Sequence, residues 1–231
     1  MPSNLHSKDL RTQGIVLHRT NYGETDRILN ILTPEGKLSV MAKAVRRPGS
    51  KLAGGVEMFC LSDIVVHQGK SELGILTSAK MLTNYHNILS DLKRLEFASQ
   101  ALKSINKVTN DVADPEHFQL LKQVLAGLND GMPIDVVKLW FDINFRKLSG
   151  EEYNFYTDIH GDKLKPDVNY RWNVAENAFE PYPDGLVGTN QIKLLRLMST
   201  GSLAMVSRVK NIEKLIKNLV PPAGIEPALY P

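Results

Sequence analysis

The sequence has little of what several large function classes require. A single cysteine, Cys60, in 231 residues excludes an internal disulfide framework and any multi-cysteine zinc site. No apolar run approaches the length that crosses a membrane, and the opening MPSNLHSKDLRTQG is too polar for a secretory leader. A phosphate-binding loop is missing: Gly36-Lys37 is followed by Leu38, and Ile31 stands where the first glycine belongs. The six histidines, His6, His18, His67, His86, His117 and His160, never take metal-ligand spacing. Cys60 lies between Phe59 and Leu61 with no His or Asn partner in view, and is read as a buried, inert thiol. Glu24 and Asp26 could share a strand face, but turn capping and pairing with Arg27 account for them more simply than acid–base chemistry. The expectation is a soluble, cytoplasmic, non-enzymatic protein with no metal and no cofactor.

Acid is also missing locally. None occurs between Glu35 and Glu57, a window that holds Lys37, Lys43, Arg46, Arg47 and Lys51. Residues 1–80 carry 11 Lys and Arg against 7 Asp and Glu, whereas the remaining 151 residues carry 17 against 18, so the N-terminal third holds the whole excess behind the net charge of +3. Like charges this close repel unless a polyanion or solvent compensates them. A solvated loop and a polyanion contact both remain open on charge alone.

The pattern changes once along the chain. Five short strands are expected at about Thr12–Arg19, Thr25–Thr33, Lys37–Ala44, Val56–His67 and Leu73–Met81. Asn21–Gly23, Pro34-Glu35-Gly36 and Gln68–Ser71 supply turns between them. The third strand alternates cleanly, with Leu38, Val40 and Ala42 on one face. Five strands in roughly 70 residues without a long helical pattern indicate a small closed barrel. After Asn84 the period becomes helical: Leu92, Leu95, Ala98, Leu102, Ile105 and Val108 fit one face, and a second helix opens at Asp114-Pro115 to bury Phe118, Leu121, Val124, Leu125 and Leu128. A third helix runs from Pro133 to Gly150 with Val137, Trp140, Phe141, Asn144, Phe145 and Leu148 on its inner face. An irregular insert follows at about 151–188, then helices from Thr189 and over Leu203–Leu219, and a Pro-rich tail at 220–231 expected to be disordered. The fold class is α+β: a five-stranded barrel over 1–82, then a helical domain over 83–219.

The stretch TQGIVLHRTNYGETDRILNILTPEGKLSVMAKAVRRPGSKLAG resembles the opening of the RecO family of bacterial DNA repair proteins. The resemblance rests on Tyr22-Gly23-Glu24-Thr25-Asp26-Arg27, on Thr33-Pro34-Glu35-Gly36-Lys37, and on the AKxxRR signature Ala42-Lys43-Ala44-Val45-Arg46-Arg47 with Ser50-Lys51-Leu52 behind it. It implies an N-terminal OB-fold, a helical C-terminal domain and no bond-making chemistry. It also implies a nucleoid-associated recombination mediator that binds single- and double-stranded DNA and anneals complementary strands. With RecR, such a protein helps RecA replace single-strand-binding protein (SSB), whose acidic C-terminal tail docks on the helical domain. Many relatives carry four zinc-binding cysteines in the insert; Lys165–Gly185 has none, so zinc is not carried over. The closing helix of the family also looks shortened here, and PPAGIEPALYP does not resemble it.

Annealing needs phosphates neutralised while base edges stay free, which cations at a barrel rim can provide. Lys37, Lys43, Arg46, Arg47 and Lys51 are the DNA-binding candidates, with the loop flanked by glycines that let it adapt to the strand. Tyr22 is a candidate base-stacking platform or a turn residue packed under the loop. Arg27 is expected to pair with a local acid. For the SSB tail, Lys193, Arg196, Arg208, Lys210, Lys214 and Lys217 are the available cations. Two other readings stay open: an OB-fold adaptor that binds only protein, and an RNA-binding OB protein.

Overall fold

The computed structural model describes residues 8–69, 71, 73–109, 115–217 and 219; His6, the expected cap Asp114 and the tail 220–231 lie outside the described residues. Two compact units make up the chain, Met1–Asn129 and Asp130–Pro231.

The first unit is built on five strands: β1 (Lys8–Tyr22), β2 (Asp26–Thr33), β3 (Gly36–Ala42), β4 (Cys60–Gln68) and β5 (Gly74–Asn84). They close into a barrel in the order β1-β2-β3-β5-β4. β1 makes closure possible, because it pairs with β4 from Lys8 to Ile15 and with β2 from Ile15 to Tyr22. A register shift between Val16 and His18 bends the strand at that changeover. Gly14 sits at the bend, where a β-carbon would come within 2.5 Å of Ile31 Cγ2, so only glycine allows β1 to cross this close. The last seam is parallel, joining β3 to β5 at Val40–Gly74 and Met41–Ile75. This is the OB-fold, and the α+β expectation holds. The alternation read from β3 is realised: Val40 and Ala42 are buried in a cluster with Val16, Leu29, Ile31, Ile64, Val66 and Leu76.

Two helices share this unit, α1 (Leu92–Val108) and α2 (Pro115–Asn129). Asp91 caps α1 by accepting the Arg94 amide at 3.1 Å. All five residues expected on the inner face of α2 are buried. For α1 the expected face needs correction. Its buried side is Phe97, Ala98, Ala101, Leu102 and Ile105, while Leu92 is 70% and Val108 41% exposed. Both outliers fall in the terminal turns, which reach past the surface covering the middle of the helix.

The second unit begins with α3 (Ile134–Leu148). Gly150, at φ 80°, ends it: the Gly150 amide returns to the Lys147 carbonyl and the Glu151 amide to that of Arg146, a Schellman closure. α4 (Thr189–Thr200) lies against α3, whose side chains cap its C-terminal end. Trp140 Nε1 donates to the Gly201 carbonyl, Asn144 Nδ2 to Met198 and Lys147 Nζ to Ser199, at 3.0–3.2 Å. The single helix expected over Leu203–Leu219 is instead two short ones, α5 (Leu203–Val206) and α6 (Ile212–Ile216). Asn211, left-handed at φ 55°, turns the chain between them. The insert is less irregular than its composition indicates. β6 (Tyr170–Asn173) and β7 (Ala178–Pro181) form a two-stranded ribbon, and Trp172 packs edge-on against Phe179 and Tyr153, at 4.9 and 5.4 Å between ring centres. Aromatic faces supply the packing that a short ribbon cannot obtain from its backbone alone.

The α1 burial pattern has a direct consequence for stability. Phe97→Ala is expected to cost about 3–5 kcal/mol, whereas Leu92→Ala is expected to stay within about 0.5 kcal/mol of the parent; urea denaturation of the two variants distinguishes this face from the one read by periodicity.

Candidate nucleic-acid interface

The basic segment is the connection from β3 to β4, residues 43–59, and it is held at several points. Its first anchor is Asp26, at the start of β2. One carboxylate oxygen accepts both the Ala44 amide at 2.7 Å and the Thr25 hydroxyl at 2.9 Å. Those hydrogen bonds, the Ala44 amide first, with Lys43 and Arg47 adding attraction, hold the Asp26 carboxyl below the usual carboxylate range, so it stays charged throughout the neutral range. Ala44 takes a left-handed conformation at φ 52°, unfavourable for a residue with a β-carbon. The second anchor is the Arg46 amide, which donates to the Thr25 carbonyl at 2.9 Å.

Beyond Ala44 the chain winds through consecutive turns: the amides of Arg47, Ser50, Ala53 and Gly55 return to the carbonyls of Ala44, Arg47, Ser50 and Leu52. Val45 and Val56 are buried in the barrel core, and Leu52 and Met58 pack against it. Gly55 lies directly on β5, where a β-carbon would stand 2.4 Å from the Ala79 carbonyl oxygen. Arg19 of β1 then pairs with Glu57 at 2.7 Å. The loop expected to adapt freely is thus fixed along its backbone, and its glycines serve contact as well as flexibility.

The candidate side chains divide. Lys43, Arg46, Arg47 and Lys51 are exposed on the fixed loop. Arg46 reaches back to the Gly23 carbonyl with a 3.4 Å hydrogen bond, which ties it to the β1–β2 turn. Tyr22 is at the end of β1, opposite Asp26 in register and 54% exposed, so its ring is not packed under the loop. Lys37 is elsewhere. It lies at the start of β3, six residues or roughly 20 Å of strand from Lys43, and its ammonium donates to the Asn106 carbonyl near the end of α1 at 2.9 Å. Asn30 Nδ2 also bonds Asn106, through its side-chain oxygen. Arg27 donates to Asn21 Oδ1 at 3.3 Å, an amide where an acid was expected. Sequence reasoning missed the anchoring role of Asp26, whose partner is 18 residues away, and the close approach of Gly55.

Other chemistry is sparse. Cys60 is buried, its thiol pushed up by burial and donating to the Glu57 carbonyl. Among the described residues no group of three or more His, Cys, Asp or Glu could hold a metal ion, and no helix is long and apolar enough to cross a membrane. In the second unit a groove of about 600 Å3 runs beside α4 and α6. Leu194, Leu197, Val209 and Leu215 give it an apolar lining, and Lys193, Lys210 and Lys214 border it. Of the remaining cations considered for this unit, Arg196 is occupied, donating to the Phe155 carbonyl and stacking on Tyr156, while Arg208 and Lys217 are exposed and do not line the groove.

Comparison with known proteins agrees with the barrel and extends past it. Residues 7–85 match the family model described as the N-terminal region of recombination protein O. A DNA repair protein RecO of Dehalococcoides mccartyi strain CBDB1 is 29% identical over 220 residues, covering 91% of this chain and 86% of that protein. The DNA repair protein RecO of Acetivibrio thermocellus is 32% identical over 147 residues, 61% of this chain and 57% of the relative. That of Halalkalibacterium halodurans is 30% identical over 142 residues, 61% and 56%. With an OB-fold in the matched region and similarity running through the helical portion, the chain is similar to the RecO family in its N-terminal domain and, over most of its length, to DNA repair proteins RecO.

Proposed function

We propose that this protein acts in DNA repair as a recombination mediator that binds single- and double-stranded DNA through the 43–51 loop and anneals complementary strands. The observation that carries the reading is the loop itself: four exposed cations, Lys43, Arg46, Arg47 and Lys51, on a backbone fixed against the barrel rim, beside the exposed ring of Tyr22. Cations so placed neutralise phosphates without reading base edges, which leaves the bases free to pair. Arg46 and Arg47 can each bridge a phosphate with two hydrogen bonds, Lys43 and Lys51 act as point charges, and Tyr22 offers a stacking face of no base preference. Lys37, committed to the Asn106 carbonyl, is left out of the contact. In this reading the nucleic-acid-binding domain is the OB segment 1–82, and no step makes or breaks a bond.

The α4–α6 groove supports the partner side of the reading. An acidic peptide ending in apolar residues, such as the SSB tail, would meet lysines at the border and leucines below. We assign the tail to this groove, with Lys193, Lys210 and Lys214 as its counter-charges, and RecR to the same mediator complex that loads RecA on SSB-coated strands.

Two outcomes are expected. Four phosphate contacts give log K a slope of about −2.8 against log salt on single strands, and Arg46→Ala with Arg47→Ala flattens it by about 1.4 for every DNA sequence tested. A salt titration by fluorescence anisotropy measures this; an unchanged slope removes the loop from the contact, failure of the parent to bind any oligonucleotide favours the protein-only adaptor, and preference for a matched RNA strand favours the RNA-binding reading. Lys193→Glu with Lys214→Glu is expected to leave annealing of bare strands intact while weakening binding of an acidic C-terminal peptide by at least about tenfold and abolishing annealing of SSB-coated strands. Equal loss on bare and coated strands would overturn the groove assignment.

A further inference from the structure

Asp26 is an acid placed at the point of the barrel where a nucleic-acid contact has least use for one. Its carboxylate acts on Lys43 and Arg47, and it is ionised. A negative charge beside a phosphate-binding surface weakens that surface by its own repulsion. Its presence there needs a reason that outweighs the loss, and the geometry supplies one. The same oxygen takes the Ala44 amide at 2.7 Å and the Thr25 hydroxyl at 2.9 Å. Ala44 is the residue whose left-handed backbone, φ 52°, redirects the chain out of β3. Lys43 precedes it, and Arg46 and Arg47 follow within one turn closed from the Arg47 amide to the Ala44 carbonyl. Without an acceptor for its amide, Ala44 loses the shortest of the hydrogen bonds that offset a conformation L-residues avoid, and the three cations lose the anchor at the start of their common base.

We propose that Asp26 is the positioning residue of the DNA-binding loop: it fixes the left-handed turn at Ala44 that sets Lys43, Arg46 and Arg47 side by side, and it moderates their combined charge. The inference rests on the loop being the DNA contact. Asp26 touches no nucleic acid in this arrangement and acts through the turn. Its two effects have opposite signs, which makes them separable. Geometry needs the oxygen as an acceptor; moderation needs the charge. Asparagine preserves the first and removes the second.

The test compares Asp26→Asn and Asp26→Ala with the parent in the full chain, measuring single-strand binding across a salt series and hydrogen exchange at the Ala44 amide. Asp26→Asn is expected to keep the Ala44 amide protected and to bind at low salt about two- to threefold more tightly, the effect of one unit charge acting through water over roughly 7 Å. Asp26→Ala is expected to lose that protection, to bind more weakly and to flatten the salt slope by about 1.4, as when Arg46 and Arg47 are both removed. Weakening by Asp26→Asn to the level of Asp26→Ala would overturn the proposal, because a preserved acceptor should rescue binding. So would an Asp26→Ala protein that keeps the parental slope or a protected Ala44 amide. Global unfolding of Asp26→Ala leaves the decision with Asp26→Asn, which must bind more tightly with Ala44 protected for the proposal to stand. Failure of the parent to bind DNA would instead strike at the proposed function, while the exchange data alone still decide whether Asp26 holds the turn.

Discussion

One hydrogen bond governs how the N-terminal unit presents its charge: the 2.7 Å contact from the Ala44 amide to the Asp26 carboxylate. Charge-assisted bonds of this kind are about twice as strong as neutral ones, and here the bond spans two strand ends that the barrel brings together. The β1–β2 turn and the β3–β4 connection become one piece, reinforced by the Arg46 amide on the Thr25 carbonyl and the Arg46 guanidinium on Gly23. Lys43, Arg46, Arg47 and Lys51 therefore stand on a common base despite their mutual repulsion. Burial of Val45 and Val56 fixes the same loop from beneath. Apolar plugs hold the backbone, an acid holds the turn, and the cationic side chains stay exposed on it.

That division fits what the proposed annealing surface must do. Ordering a backbone costs roughly 1–2 kcal/mol per residue; in a loop fixed before the ligand arrives this cost belongs to folding and leaves binding undiminished. A strand that must later pair with its complement gains from contacts that are fast, sequence-blind and individually weak. Exposed lysines and arginines on a rigid base meet that need better than a deep cleft would.

How much of this was legible in the sequence depends on the distance over which each interaction acts. The strands of the barrel follow from alternation and turn chemistry: Leu38, Val40 and Ala42 against Lys37, Ser39 and Met41, closed by Pro34-Glu35-Gly36. Helix α2 follows from its 3.6-residue spacing, and Gly150 stops α3 as its position indicates. Contacts between remote segments left no local trace. Gly54-Gly55 reads as a flexible pair, yet Gly55 is there because the Ala79 backbone leaves no room for a β-carbon. Leu92 and Val108 have the right spacing for the α1 core, but spacing does not say where the covering surface ends. The ribbon in the insert is too short to be seen by alternation, and its stability lies in rings from separated positions, Tyr153, Phe155, Trp172 and Phe179. In the last helical stretch the spacing runs on through Asn211, whose left-handed turn splits it.

Lys37 and Lys43 carry the same lesson into function. They are the same residue type, six positions apart around one strand, and a charge count treats them alike. The fold sends one to the rim beside Asp26 and the other to the end of α1, where the terminal carbonyls of a helix carry partial negative charge that a lysine satisfies well. Asn106 draws its second bond from Asn30, so Lys37 belongs to a small network that joins β2 and β3 to α1. A cation whose partner is already supplied by the fold must break that bond before it can serve a phosphate. A cation left exposed among like charges, with Asp26 offsetting only part of them, gains on meeting a phosphate. The basic stretch from Lys37 to Lys51 is therefore two structures in sequence, a staple for the helix and an exposed cationic platform, and the boundary between them is the end of β3 at Ala42.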